Sequence, residues 1–192
     1  MYPELVWRLP DWVEEMISAG GGEFPSDEER MRLAIRLAEE NVRRGTGGPF
    51  GAAVFETVTG RLVAPGVNLV VPAGCSAAHA EIVALSLAQR TCGVYDLGAE
   101  GAPACDLVAS TEPCAMCMGA IPWSGVRRLV CGARGEDACA VGFDEGAKPP
   151  DWVREFERRG IAVRRDVCRV EAATVLRRYV AGGGPIYNSR RA

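Results

Sequence analysis

The only histidine in the chain, His79, opens the triplet His79-Ala80-Glu81, and thirty-four residues further on begins Pro113-Cys114-Ala115-Met116-Cys117. Any fold in which these segments act as one must bring them together at a single point. A Cys-x-x-Cys pair at the start of a helix can grip one Zn²⁺ from the first turn, and one imidazole completes a three-donor platform. The fourth tetrahedral position then stays free for water, whose pKa the metal pulls towards neutrality. Glu81, two residues past the histidine, is near enough to shuttle protons without binding the metal. A Cys-x-x-Cys pair alone is weak, since eight cysteines also allow redox or structural-zinc readings. A closed structural site would need a fourth protein donor, Cys75 or Cys131, and would leave the Glu81 spacing and Pro113 without a purpose.

At 192 residues and 48% hydrophobic, the chain is long enough for one well-buried core and short for two domains. Net charge is −3 and the sequence pI is near 5.4, which argues against a large polyanionic partner, although a local basic patch can hide in such a balance. The cysteines at 75, 92, 105, 114, 117, 131, 139 and 168 would suggest disulfides in a secreted chain. No secretion signal follows Met1-Tyr2-Pro3-Glu4-Leu5 and no stretch approaches a membrane span, so the expectation is a cytoplasmic protein with reduced thiols. Outside the 114/117 pair each cysteine reads as a small buried hydrophobe.

Residues 1–25 form an extension: a short amphipathic helix carrying Trp7, Trp12, Met16 and Ile17, then the joint Gly20-Gly21-Gly22. Ser26 with Glu29 makes a capping box, and Met31, Ala34, Ile35, Ala38 and Val42 recur at helical spacing, which predicts a helix from about 27 to 44. Gly51 to Glu56 and Arg61 to Ala64 read as two strands joined by a turn, the second prolonged through Val67-Asn68-Leu69-Val70-Val71 until Pro72-Ala73-Gly74 ends it. His79 to Gln89 is apolar on most faces, as in a helix buried beneath a sheet. Cys105 to Ser110 is a buried-type strand, broken by Thr111-Glu112-Pro113 before a helix from Cys114 to about Trp123. Both donor segments therefore sit at helix N-termini, whose dipoles favour ionised sulfur. Arg128 to Gly132 and Ile161 to Arg164 read as strands, and Trp152 to Arg159 and Glu171 to Val180 as helices. This alternation predicts a three-layer α/β/α domain over residues 26–181 with about five strands. Residues 182–192 are a glycine-rich hinge with the tip Ile186-Tyr187-Asn188, which reads as a latch over a site.

The motifs Gly48-Pro49-Phe50-Gly51-Ala52, His79-Ala80-Glu81 and Glu112-Pro113-Cys114-Ala115-Met116-Cys117 resemble the cytidine deaminase-like superfamily, whose zinc nucleobase deaminases carry His-x-Glu followed by Pro-Cys-x-x-Cys. The similarity spans about residues 27 to 188. Val141-Gly142-Phe143-Asp144-Glu145-Gly146 and Ile186-Tyr187-Asn188 look like the bacterial guanine deaminase branch, including the type linked to the amino-triazine ammeline. The resemblance implies one zinc on His79, Cys114 and Cys117, Glu81 as principal proton shuttle, and Glu145 as a second acidic residue near the leaving amine. It also implies a substrate-binding set of Asn68, Ala80, Asp144, Tyr187, Phe50 and Phe143, with the two phenylalanines sandwiching a purine. Family members form homodimers in which the C-terminal segment closes a partner's site, so Tyr187 is a candidate to act in trans. The implied reaction is hydrolysis of guanine to xanthine and ammonia.

From the residues alone, other readings stay open. Asn68 is equally a turn residue, Phe50 and Phe143 are by base rate core, and Asp144-Glu145 would ordinarily be a solvated acidic pair. A tRNA adenosine deaminase shares the zinc core but needs a basic surface for phosphates, which the pairs Arg127-Arg128, Arg158-Arg159, Arg164-Arg165, Arg177-Arg178 and Arg190-Arg191 keep in view. A non-catalytic zinc-stabilised binding module would instead have a closed metal site.

Overall fold

Nearly continuous runs of buried residues along Gly51–Glu56 and Cys105–Thr111 build the centre of the molecule, seen in a computed structural model that describes residues 2–188. These segments are β1 and β3, with β2 at Leu62–Val67, β4 at Arg128–Ala133 and β5 at Ala162–Arg164, in the order β2-β1-β3-β4-β5. β1 runs antiparallel to both β2 and β3, whereas β3, β4 and β5 are parallel. One edge of the sheet therefore gathers the residue before β1, Phe50, the residue after β2, Asn68, and the segments that follow β3 and β4. In parallel α/β sheets, ligands bind beyond such carboxyl ends.

Period-two alternation assigns the two faces. Ala53, Phe55, Val108 and Val130 pack with the helices α2 (Asp27–Arg43) and α8 (Arg169–Ala181). Ala52, Val54, Leu107, Ala109 and Leu129 pack against α4 (Ala80–Cys92), α5 (Ala115–Ser124) and α7 (Trp152–Arg158). The expected three-layer sandwich is the architecture observed. α2 starts where Ser26 accepts the Glu29 N–H and Glu29 returns a carboxylate to the Ser26 N–H, so both ends of the capping box form. The N-terminal helix α1 (Asp11–Gly20) is tied into this core, with Trp12 and Val13 buried and the Trp12 indole N–H donating to the Thr46 hydroxyl at 3.1 Å.

The expected continuation of β2 through Val71 is corrected. The strand stops at Val67, and Val70–Ala73 form a four-residue helix, α3. The valines have strand propensity, but the Asn68 Oδ1 accepts the Val70 N–H and turns the chain inwards before a ladder can continue. A further short helix, α6 (Gly135–Ala140), follows β4 where no helix was expected. Of the C-terminal segment 182–192, residues 189–192, which include the Arg190-Arg191 pair, lie outside the described residues.

Candidate active site

His79 and Cys114 are the N-cap residues of α4 and α5, both in extended backbone, and Cys117 lies buried on the first turn of α5. The two helices start from the same edge of the sheet, and their first turns meet. Cys114 Sγ is 3.5 Å and Cys117 Sγ 3.6 Å from His79 Nδ1. With Zn–S of about 2.3 Å and Zn–N of about 2.0–2.1 Å, the edge of a tetrahedron joining N to S is roughly 3.6 Å, so these donors fit one zinc ion. Among the described residues the cluster contains these three donors, and neither Cys75 nor Cys131 joins them. That is the composition of an open, catalytic zinc site rather than a closed structural one.

Hydrogen bonding from Cys117 is the largest influence on Cys114, and it holds that sulfur ionised down to about 4 despite burial. The same partnership, with burial, pushes the Cys117 thiol well up. Zinc binds both sulfurs as thiolates, so metal uptake displaces protons.

A cavity of about 170 Å³ opens beside the donors, walled by Phe50, Val70, Phe143 and Tyr187 and carrying His79, Cys114, Glu81, Glu112, Ser76, Asp144, Glu145 and Asn188. Glu81 is 7% and Glu145 8% exposed, so both sequence-derived proton carriers are desolvated inside it. Burial, then the Cys114 charge, raises the Glu81 pKa. Burial lifts Glu145 to about 7 against the opposing pull of Lys148. Two buried carboxyls with raised proton affinity beside one metal cluster are the kind of groups that general acid–base chemistry uses.

The remaining expected residues divide. Tyr187 lines the cavity of its own chain, its ring edge-to-face on Phe143 at 5.3 Å and its buried hydroxyl without a hydrogen-bond partner among the described residues. Asp144 is at the cavity mouth, where its carboxylate accepts the Gly146 N–H. Phe50 and Phe143 both face the cavity, where their rings meet edge-to-face at 4.9 Å and form one continuous wall. Asn68 is buried beside the cavity-lining Val70: its carbonyl oxygen accepts from Asn41 Nδ2, and its Oδ1 accepts the Val70 N–H at the turn into α3. Ala80 is buried in the first turn of α4, within the core beneath the sheet.

Three cavity or near-cavity residues escaped the sequence reading. Glu112 receives the Gly135 N–H and an Arg165 guanidinium. Asn188 brackets Phe143, accepting the Asp144 N–H and donating to the Gly142 carbonyl, each at 3.0 Å. Lys148 pairs with Glu145. None has a local pattern in sequence; a glutamate beside the Pro-Cys motif and an asparagine beside Tyr187 were the available hints.

Comparison with known proteins agrees with this geometry. Residues 25–133 match the model of the cytidine and deoxycytidylate deaminase zinc-binding region. The chain belongs to that family. A guanine deaminase of Bacillus subtilis is 38% identical over 115 residues, covering 60% of this chain and 69% of that protein. The solved guanine deaminase of Nitrosomonas europaea is 47% identical with a TM-score of 0.88, over 94% of this chain and 98% of that one. A solved chain designated NE0047, in complex with 2,6-diaminopurine, aligns over 98% of both chains with a TM-score of 0.89 and 48% identity. Family membership makes this deaminase a zinc protein, and the His79, Cys114 and Cys117 cluster supplies the donors. Among the described residues no helix is long and apolar enough to cross a membrane.

Proposed function

We infer that this chain catalyses the hydrolytic deamination of guanine to xanthine and ammonia. The observation that carries the reading is the pair of buried carboxyls, Glu81 and Glu145, sharing one small aromatic-walled cavity with a three-donor zinc cluster. Near-full-length similarity to a guanine deaminase supports the choice of base.

Zinc held by His79, Cys114 and Cys117 would make hydroxide available from solvent near neutral pH. Glu81, raised by its burial, accepts the proton of the attacking water and passes it to ring N3, so that C2 becomes tetrahedral without charge building on the ring. Glu145, with its carboxyl near 7, gives a proton to the departing amine while the C2 hydroxyl gives its own to Glu81, so that ammonia and the C2 carbonyl of xanthine form together and exchange with solvent resets both carboxyls. The wall of Phe50, Phe143 and Tyr187 presents apolar surface to the base and excludes water, and the unspent Tyr187 hydroxyl donates a hydrogen bond to it. Asn68 would offer its amide to the base by releasing the Val70 N–H.

The small aromatic-walled cavity suits a planar free base, and the net charge of −3 gives no general attraction for the phosphates of an RNA. The exposed apolar residues Met116 and Trp123 on α5 support assembly as a homodimer. Ammonia release from guanine, guanosine, ammeline, adenine, cytosine, cytidine and a tRNA anticodon stem-loop tests the reading. Guanine turnover with guanosine and RNA inert is the expected pattern; turnover of the RNA alone overturns it.

A further inference from the structure

The segment after Phe143 reaches the metal-bearing loop through one side chain that the reaction scheme leaves without a task. Lys148 Nζ lies 3.1 Å from Glu145 Oε2 and 3.4 Å from the carbonyl oxygen of Pro113, the residue before Cys114. The Ala115 N–H donates to the Glu145 carbonyl at 2.9 Å, so the same two loops are joined through backbone as well. The ion pair is well enclosed, with 16% of the lysine side chain and 9% of the glutamate exposed. Its space depends on Gly135, where a Cβ would collide with the ammonium. Gly135 is in turn held by its N–H on the buried Glu112 carboxylate. One ammonium thus touches the carboxyl proposed as acid and the backbone that carries a zinc donor.

We propose that Lys148 is a positioning residue: it fixes Glu145 Oε2 against the Pro113-Cys114 loop and so leaves Oε1 as the oxygen for proton transfer to the leaving amine. The proposal rests on the reading of this site as a purine deaminase centre. Its physical basis is the directed pair of charge-assisted hydrogen bonds, which define where a carboxyl with three free torsions comes to rest. The charge acts in the same sense. Burial drives Glu145 up, the neighbouring Cys114 and Glu81 charges drive it further, and Lys148 is the largest opposing influence, which keeps both protonation states within reach at neutral pH. A buried ion pair is a poor device for stability alone, since well-packed apolar replacements often hold a fold equally well.

The test compares Lys148→Met, Lys148→Arg, Glu145→Gln and the Lys148→Met/Glu145→Gln double variant with the unaltered holoenzyme. For each, kcat and KM for guanine, zinc per chain and melting temperature are measured. Losing one hydrogen bond to a charged group corresponds to roughly a tenfold to hundredfold fall. Lys148→Met is expected to lose that much in kcat with KM and zinc content unchanged and the chain still folded at the assay temperature, and Lys148→Arg to recover most of it. In the Glu145→Gln background, Lys148→Met should cost nothing more, because the two residues act as one unit. Unchanged kcat in Lys148→Met overturns the inference, as does an equal loss in the Glu145→Gln background or a loss that follows zinc content or unfolding at the assay temperature. An unaltered enzyme inactive on every base in the panel overturns the purine deaminase reading and this inference with it, whereas full guanine activity insensitive to Lys148 overturns the inference alone.

Discussion

Glu81 illustrates how much one residue's setting decides. In water its carboxyl would be a weak base, but 7% exposed and beside ionised sulfur it holds a proton more tightly. Replacing it by glutamine keeps the shape and removes the proton exchange. The expected outcome for Glu81→Gln is a fall in guanine turnover of about 10²–10⁴-fold, with one zinc still bound per chain by elemental analysis. The place of Glu81 in the cavity was legible from its position two residues after His79, because the two share the first turn of α4. Glu112, Lys148 and Asn188 were not legible, since their partners Gly135, Glu145 and Gly142 lie at positions that only the folded chain makes neighbours. Phe50 and Phe143 show the reverse limit: sequence brought both to the cavity, but ring spacing is a matter of packing.

At the level of elements, the site is held by how closely α4 approaches the sheet. At Gly66 in β2 a Cβ would strike the Ala80 carbonyl oxygen and the Ala84 nitrogen, so a glycine is what lets the His79 end of α4 sit against the strand. Gly66→Val is expected to destabilise by about 1–3 kcal/mol through overpacking, and to weaken zinc retention against a chelator more than a core substitution of equal cost elsewhere. At the far end of the scheme, Ser26→Ala removes the capping hydrogen bond of α2 and should cost about 1 kcal/mol, read as a melting temperature roughly 2–4 °C lower with kcat unchanged. α2 was legible because seventeen residues display both its cap and its period. α3 and α6, with four and six residues, are too short to show a period, and three valines around Asn68 imitate a strand until the turn is seen.

On the scale of the molecule, ion pairs hold one side of the sandwich while the sheet edge presents the chemistry. Asp106 and Arg128, near the starts of β3 and β4, join Arg30 and Asp27 of α2, and Arg164 of β5 completes the group on Asp27. Burial opposes the Asp27 carboxylate, but hydrogen bonds from Arg128 and Arg164 outweigh it and hold its pKa below the ordinary 3.8. A depressed pKa stabilises the fold fully above the unfolded value and loses that stability as pH falls through the folded one. Urea titrations across this acid range should therefore show a steeper loss of stability in the natural chain than in Asp27→Asn, which starts lower and lacks that dependence. Alternating strands and helices made the three layers legible, whereas the strand order β2-β1-β3-β4-β5, with its antiparallel half, depends on pairings that no local pattern encodes. That order is what places two helix N-termini side by side and makes three donors into one site. X-ray absorption at the zinc edge of the purified protein tests this most directly. The account expects one nitrogen at about 2.0–2.1 Å, two sulfurs at about 2.3 Å and one light donor from solvent; a third sulfur in the coordination sphere, or no bound zinc, would contradict it.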